Sequence, residues 1–94
     1  VENKEFLISS LASLKKSIGV TVTALRKKKG YTNYEDFAND HGINRETYRK
    51  VEDGKANSTI RTLLRIAIAH GLTVPQLMAL VEEVPGGIAN SPKE

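Results

Sequence analysis

One short run concentrates hydrogen-bonding side chains: Asn44-Arg45-Glu46-Thr47-Tyr48-Arg49-Lys50-Val51-Glu52. Tyr48 and Val51 are its apolar members, three apart, and at 100° per residue they mark one face of a helix. With that face inward, Glu46 and Lys50 lie nearly opposite, Arg49, Asp53 and Thr47 flank them, and Arg45 stands exposed at the amino end. Such a face offers donors and acceptors to flat polar edges. Arg and Lys can donate to guanine O6 and N7, and Glu can accept from the cytosine amino group. The same residues can also form an ordinary solvated surface, with Glu46 and Lys50 as an i,i+4 pair contributing roughly 0.2–0.5 kcal/mol. The wheel does not separate the two.

Other chemistries lack their residues. The chain has no Cys and two His, His41 and His70, which stand 29 positions apart with no third ligand in spacing. Neither a metal framework nor a disulfide scaffold is expected, and no cofactor is implied. Glu82 and Glu83 are neighbours on a helix, so their side chains diverge by 100° and cannot share a substrate. No Gly-rich phosphate loop and no nucleophile elbow is present, so the chain is not expected to be an enzyme.

The elements that must position the polar run are all helical. Leu7, Leu11, Leu14, Ile18, Val22 and Leu25 alternate spacings of four and three, the stripe of a helix from about Glu5 to Lys29. Gly19 and the run Val20-Thr21-Val22-Thr23 have low helix propensity, so a kink or break near Gly19 is open. Arg26 to Lys29 and Gly30 form a helix stop. Thr32-Asn33-Tyr34-Glu35 has the form of a capping box with Thr32 as cap, starting a short second helix that turns Tyr34, Phe37 and Ala38 inward and ends at Gly42. Asn44 is the expected cap of the third helix, Arg45 to Glu52, closed by Asp53-Gly54. Thr59 caps a fourth, Ile60 to His70, with Leu63, Leu64, Ile66 and Ala67 for the core. Thr73, Pro75 and Gln76 start a fifth that reaches Glu82 or Glu83.

Ninety-four residues suit one small domain, and the composition, 39% hydrophobic and 27% charged, is that of a globular chain. No apolar run approaches the ~20 residues of a membrane span. The expected divisions are an amphipathic helical extension over 1–17, a domain over 18–83 and a flexible tail over 84–94 rich in Pro, Gly and polar residues. The chain opens on Val1 rather than Met, as a processed or excised chain would. Net charge is +3, yet residues 15–65 hold 12 basic and 6 acidic residues while both flanks are slightly acidic. A basic centre suits a phosphate-facing surface, although charge alone does not select nucleic acid.

Two short helices joined by a Gly-containing turn, the second polar and basic on its free side, form the unit that docks in a DNA major groove. The residues Val22-x-x-Leu25-Arg26-x-x-x-Gly30, Phe37-Ala38-x-x-x-Gly42-Ile43-Asn44-Arg45-x-Thr47-Tyr48-x-x-Val51-Glu52-x-Gly54 and Ile60-x-x-Leu63-Leu64-x-Ile66-Ala67-x-Ala69-x-Gly71 resemble the Xre (Cro/lambda-repressor-type) helix-turn-helix domain. The resemblance covers about Val22 to Leu80. It implies an all-α, compact five-helix, lambda-repressor-like fold, here with an N-terminal helical extension. It also implies base contacts from Arg45, Glu46, Arg49 and Lys50. Backbone contacts are implied from Thr32, Asn33 and Tyr34 at the start of the second helix, from Asn44 and Thr47, and from Lys55, Asn57 and Arg61 after the third. In this region the family typically has a Gln and one residue fewer between the Gly and the Ala, a departure that leaves Asn33 and Tyr34 as alternatives for the phosphate. Arg26 and Glu52 are implied to be a structural pair bracing the third helix, and Ala38, Gly42 and Gly54 to be structural.

The expected function is sequence-specific binding of double-stranded DNA by a cytoplasmic, nucleoid-associated transcriptional regulator, a repressor, of bacterial or phage type. One domain contacts too little DNA for tight specific binding, so a homodimer on a palindromic operator with half-sites about 34 Å apart is expected. Self-association would use the N-terminal stripe with Phe6, Leu7, Leu11 and Leu14, or the fifth helix with Leu77, Met78 and Val81. Two alternatives stand beside it: an antitoxin that binds a toxin protein and represses its own operon, and a protein-interaction module that keeps the fold without binding DNA.

Overall fold

The computed structural model describes residues 4–82, and these form five helices with no strand among the described residues. They are α1 (Lys4–Lys28), α2 (Tyr34–Asp40), α3 (Arg45–Glu52), α4 (Ile60–Ala69) and α5 (Val74–Glu82). Helix α1 packs on α3 and α5, α2 on α3, and α4 on α5. The tail expected over 84–94 lies outside the described residues. No single described helix is long and apolar enough to cross a membrane.

The core gathers the inward residues of every helix: Ile18 and Val22 from α1, Phe37 and Ala38 from α2, Tyr48 and Val51 from α3, Ile66 and Ala67 from α4, Leu77 and Val81 from α5. Phe37 and Tyr48 lie at its centre, both fully buried, with ring centroids 5.0 Å apart. Burial of each large apolar side chain contributes about 1.5–3 kcal/mol, and these contacts dock α3 through the side opposite its polar face.

Helix α1 is a single unbroken helix, and Gly19 within it has a packing role in place of a break. A Cβ at Gly19 would lie 2.5 Å from the Glu52 carbonyl oxygen and 2.8 Å from that of Val51. The residue is Gly because two backbones meet there. At the next turn of the same crossing, Gly54 has φ +74° and a Cβ on it would lie 3.1 Å from the Lys16 Cα.

Four expectations about the elements are corrected. The cap of α2 is Asn33, not Thr32: the Asn33 Oδ1 accepts from the Asp36 amide at 2.8 Å, and Thr32 is exposed. Asn is the stronger cap, and a start one residue later turns Phe37 and Ala38 together onto α3. Leu7 and Leu11 are 64% and 41% exposed, on the turns of α1 that precede its first buried residue, Ser17. Leu64 is 45% exposed, since α4 turns its Ile66–Ala67 side to the core. Leu77 and Val81 belong to that core, which removes most of α5 as a self-association face. The capping box of α5 forms as expected, with Thr73 and Gln76 exchanging hydrogen bonds of 2.9 and 3.2 Å.

Candidate nucleic-acid interface

Helix α3 begins where the sequence sets Asn44: the Asn44 Oδ1 accepts from the Thr47 amide at 3.0 Å. The turn before it uses Gly42 at φ +68°, and the Ile43 amide donates to the Ala38 carbonyl at 2.9 Å, fixing α3 against α2. Tyr48 and Val51 face the core, so Arg45, Glu46, Thr47 and Lys50 are exposed.

Arg49 is half-buried and held by two carboxylates, Nη2 on Glu46 and Nη1 on Asp53 Oδ2 at 2.9 Å. Glu46 therefore takes Arg49 as its partner, where the bare wheel suggested Lys50. Its carboxyl is held below the usual range by the hydrogen bond from Arg49, and the Arg49 guanidinium is raised by the same contact. A base contact by Arg49 requires that clamp to open.

The carboxyl end of α3 is braced from below. Arg26 Nε and Nη2 bond Glu52 Oε2 and Oε1 at 2.7 and 3.1 Å, while Nη1 reaches the Tyr31 carbonyl at 3.0 Å. The side chains are 7% and 9% exposed. The hydrogen bond to Glu52 raises the Arg26 guanidinium above its ordinary value. Burial pushes the neighbouring Tyr48 hydroxyl well up, with Glu52 adding to the effect.

Around the amino end of α3, a shallow cleft is lined by Tyr34, Glu35, Asn44, Arg45 and Glu46, bringing the start of α2 beside the start of α3. Asn33 is engaged as the α2 cap and its Nδ2 also donates to Asp36 at 3.2 Å, whereas Tyr34 edges the cleft. Beyond the other end of α3, Lys55, Asn57 and Arg61 are all exposed.

Two residues outside the sequence reading join this surface. Arg65 on α4 donates to the Gly42 carbonyl at 3.3 Å, tying α4 to the turn, and Lys15 on α1 donates to Asn57 Oδ1 at 3.4 Å. Both contacts bridge segments distant in sequence, so local spacing carried no signal of them. His41 and His70, read as unrelated, both pack on Phe37, with centroids 4.6 and 5.1 Å away. Among the described residues no group of three or more His, Cys, Asp and Glu is placed to hold a metal.

Comparison with known proteins agrees with this geometry. The helix-turn-helix family matches residues 22–77, from the middle of α1 into α5. A Sinorhizobium fredii (strain NBRC 101917 / NGR234) protein named "Uncharacterized HTH-type transcriptional regulator y4dJ" is 31% identical over 74 residues, 79% of this chain and 95% of that protein. "Control protein C.MunI" of a Mycoplasma species is 30% identical over 70 residues, 74% of this chain and 95% of that protein. With the five helices of its described residues, its turn at Gly42 and its polar α3, the chain belongs to the Xre-type helix-turn-helix family of DNA-binding transcriptional regulators.

Proposed function

We propose that this protein is a sequence-specific repressor that binds double-stranded DNA as a homodimer, with α3 in the major groove of each half of a palindromic operator. The observation that carries this reading is the exposed face of α3, Arg45, Glu46, Thr47 and Lys50, on a helix held rigidly by its Asn44 cap and the Arg26–Glu52 brace. A preorganised donor face loses little freedom on docking. In this reading Arg45, Glu46 and Lys50 meet base edges, joined by Arg49 when its clamp opens. Thr32, Asn33, Tyr34, Asn44, Thr47, Lys55, Asn57 and Arg61 lie toward the sugar-phosphate backbone. Self-association falls to the exposed Phe6, Leu7, Ile8 and Leu11 of α1. A regulator of this kind acts in the cytoplasm, at the nucleoid.

Selection from random duplex DNA at stated salt tests the proposal. An enriched palindrome with half-sites about 34 Å apart is expected. Arg45→Ala and Lys50→Ala should each relax preference at one base position in each half-site, at a cost of roughly 1–3 kcal/mol. Weak binding indifferent to sequence would overturn it, and no retardation of any duplex, by the native chain or either variant, would favour a protein-interaction module.

A further inference from the structure

Helix α1 crosses the carboxyl end of α3 at backbone contact, through Gly19 against Glu52 and Gly54 against Lys16. One turn before Gly19, Lys15 extends its ammonium to Asn57 in the loop after α3. Lys16, Lys50 and Lys55 are exposed around the same end. Four lysines from three separate segments thus flank the place where α3 stops, the Lys16 backbone against Gly54 and the Lys55 amide on the Lys50 carbonyl at 3.0 Å. The carboxylates of that end are already engaged, Glu52 with Arg26 and Asp53 with Arg49. Cations gathered without free counter-carboxylates repel one another, and a polyanion laid along them relieves that repulsion.

Resting on the reading that α3 docks in the major groove, we infer that Lys15 and Lys16 of α1 grip the phosphodiester backbone of the duplex beside the carboxyl end of α3. The helix that precedes the helix-turn-helix is then part of the DNA-binding surface. Lys15 acts from its position on Asn57, so it also holds the loop that carries Lys55. Phosphate contacts position a protein on the duplex and carry no sequence information, so these lysines contribute affinity and register but not base preference.

A purely structural role is the competing account, in which the two cations only complement the negative end of the α3 dipole. Salt dependence separates the two, because each phosphate neutralised by a lysine releases condensed counterions. Lys15→Gln, Lys16→Gln and the double variant of the full chain are compared with the native chain on a mixed-sequence duplex of about 30 base pairs, between about 50 and 200 mM salt. Glutamine keeps nearly the same helix propensity and removes the charge. Each single change should lower the log-log salt slope by about 0.9 and the double change by about 1.8, with the melting temperature unchanged. A steep native slope that the variants retain overturns this inference alone, and a lowered melting temperature with that retained slope assigns the lysines to the α3 dipole. A native chain that binds no duplex at any salt overturns the repressor proposal together with this one.

Discussion

Glu52 is the residue on which the most depends, since its carboxylate accepts from two Arg26 nitrogens and so holds the guanidinium whose third nitrogen donates to the Tyr31 carbonyl. Glu52→Ala strands the buried Arg26 guanidinium and should cost about 3–5 kcal/mol, as breaking a buried pair does. A thermal melt checks it, and an unchanged melting temperature would remove the brace from the account. Replacing His70 reads out differently. Its imidazole is held below its ordinary value, first by burial and then by Lys29 and His41, so the unfolded chain binds the proton more readily. Stability should therefore hold above the ordinary His value near pH 6.5 and fall as pH drops through it toward the lower folded value. In His70→Phe, which keeps the stack on Phe37, the melting temperature should lose that part of its acid dependence; an acid slope equal to the native one would contradict the assignment. At this scale the exposed face of α3 was legible because two buried residues, Tyr48 and Val51, orient a whole short helix. The Arg49 clamp was not, because i+3 and i+4 partners compete for Glu46 and side-chain rotamers choose between them. The links of Lys15 to Asn57 and Arg65 to Gly42 depend on how helices cross, which no local spacing encodes.

Helix boundaries follow from local chemistry wherever a cap and a stop agree. Asn44 with Asp53-Gly54, and Thr73 with Gln76, bound α3 and the start of α5 as their residue types suggest. Two adjacent cap formers, Thr32 and Asn33, defeat that local logic, and the choice between them is made by packing of Phe37 and Ala38. Gly19 is the sharper case. Its low propensity suggested a weak point in α1, whereas the structure uses its missing Cβ to let α1 and α3 touch. Gly19→Ala should gain up to about 1 kcal/mol in helix propensity. It should lose more, because a Cβ 2.5 Å from the Glu52 carbonyl oxygen pushes α3 off its seat, an overpacking cost of roughly 1–3 kcal/mol. The expected result is a lower melting temperature and weaker DNA binding in the soluble variant. A raised melting temperature would show that propensity, not the crossing, governs this position.

At the scale of the whole molecule, the charge and the apolar surface sit in different places. The basic excess of residues 15–65 falls on the segment that forms the helix-turn-helix and its supports. The amino-terminal turns of α1 instead expose Phe6, Leu7 and Ile8 at 70%, 64% and 63%. Large side chains so close together are seldom left in water without a partner. A second exposed ridge runs along α4 through Ile60, Leu64 and Ile68, a face that the sequence pattern had partly assigned to the core. If the proposed dimer forms through α1, changing Phe6, Leu7 and Ile8 together to Ser should convert it to a monomer in sedimentation, and the melt of the core should move little beyond the loss of subunit coupling. The monomer should still retain half-site DNA weakly while losing its dependence on half-site spacing. A dimer that survives this change but is lost when Ile60 and Ile68 become Ser would move the interface to α4. That outcome would also change the distance between the paired α3 helices, and hence the operator spacing that selection should recover.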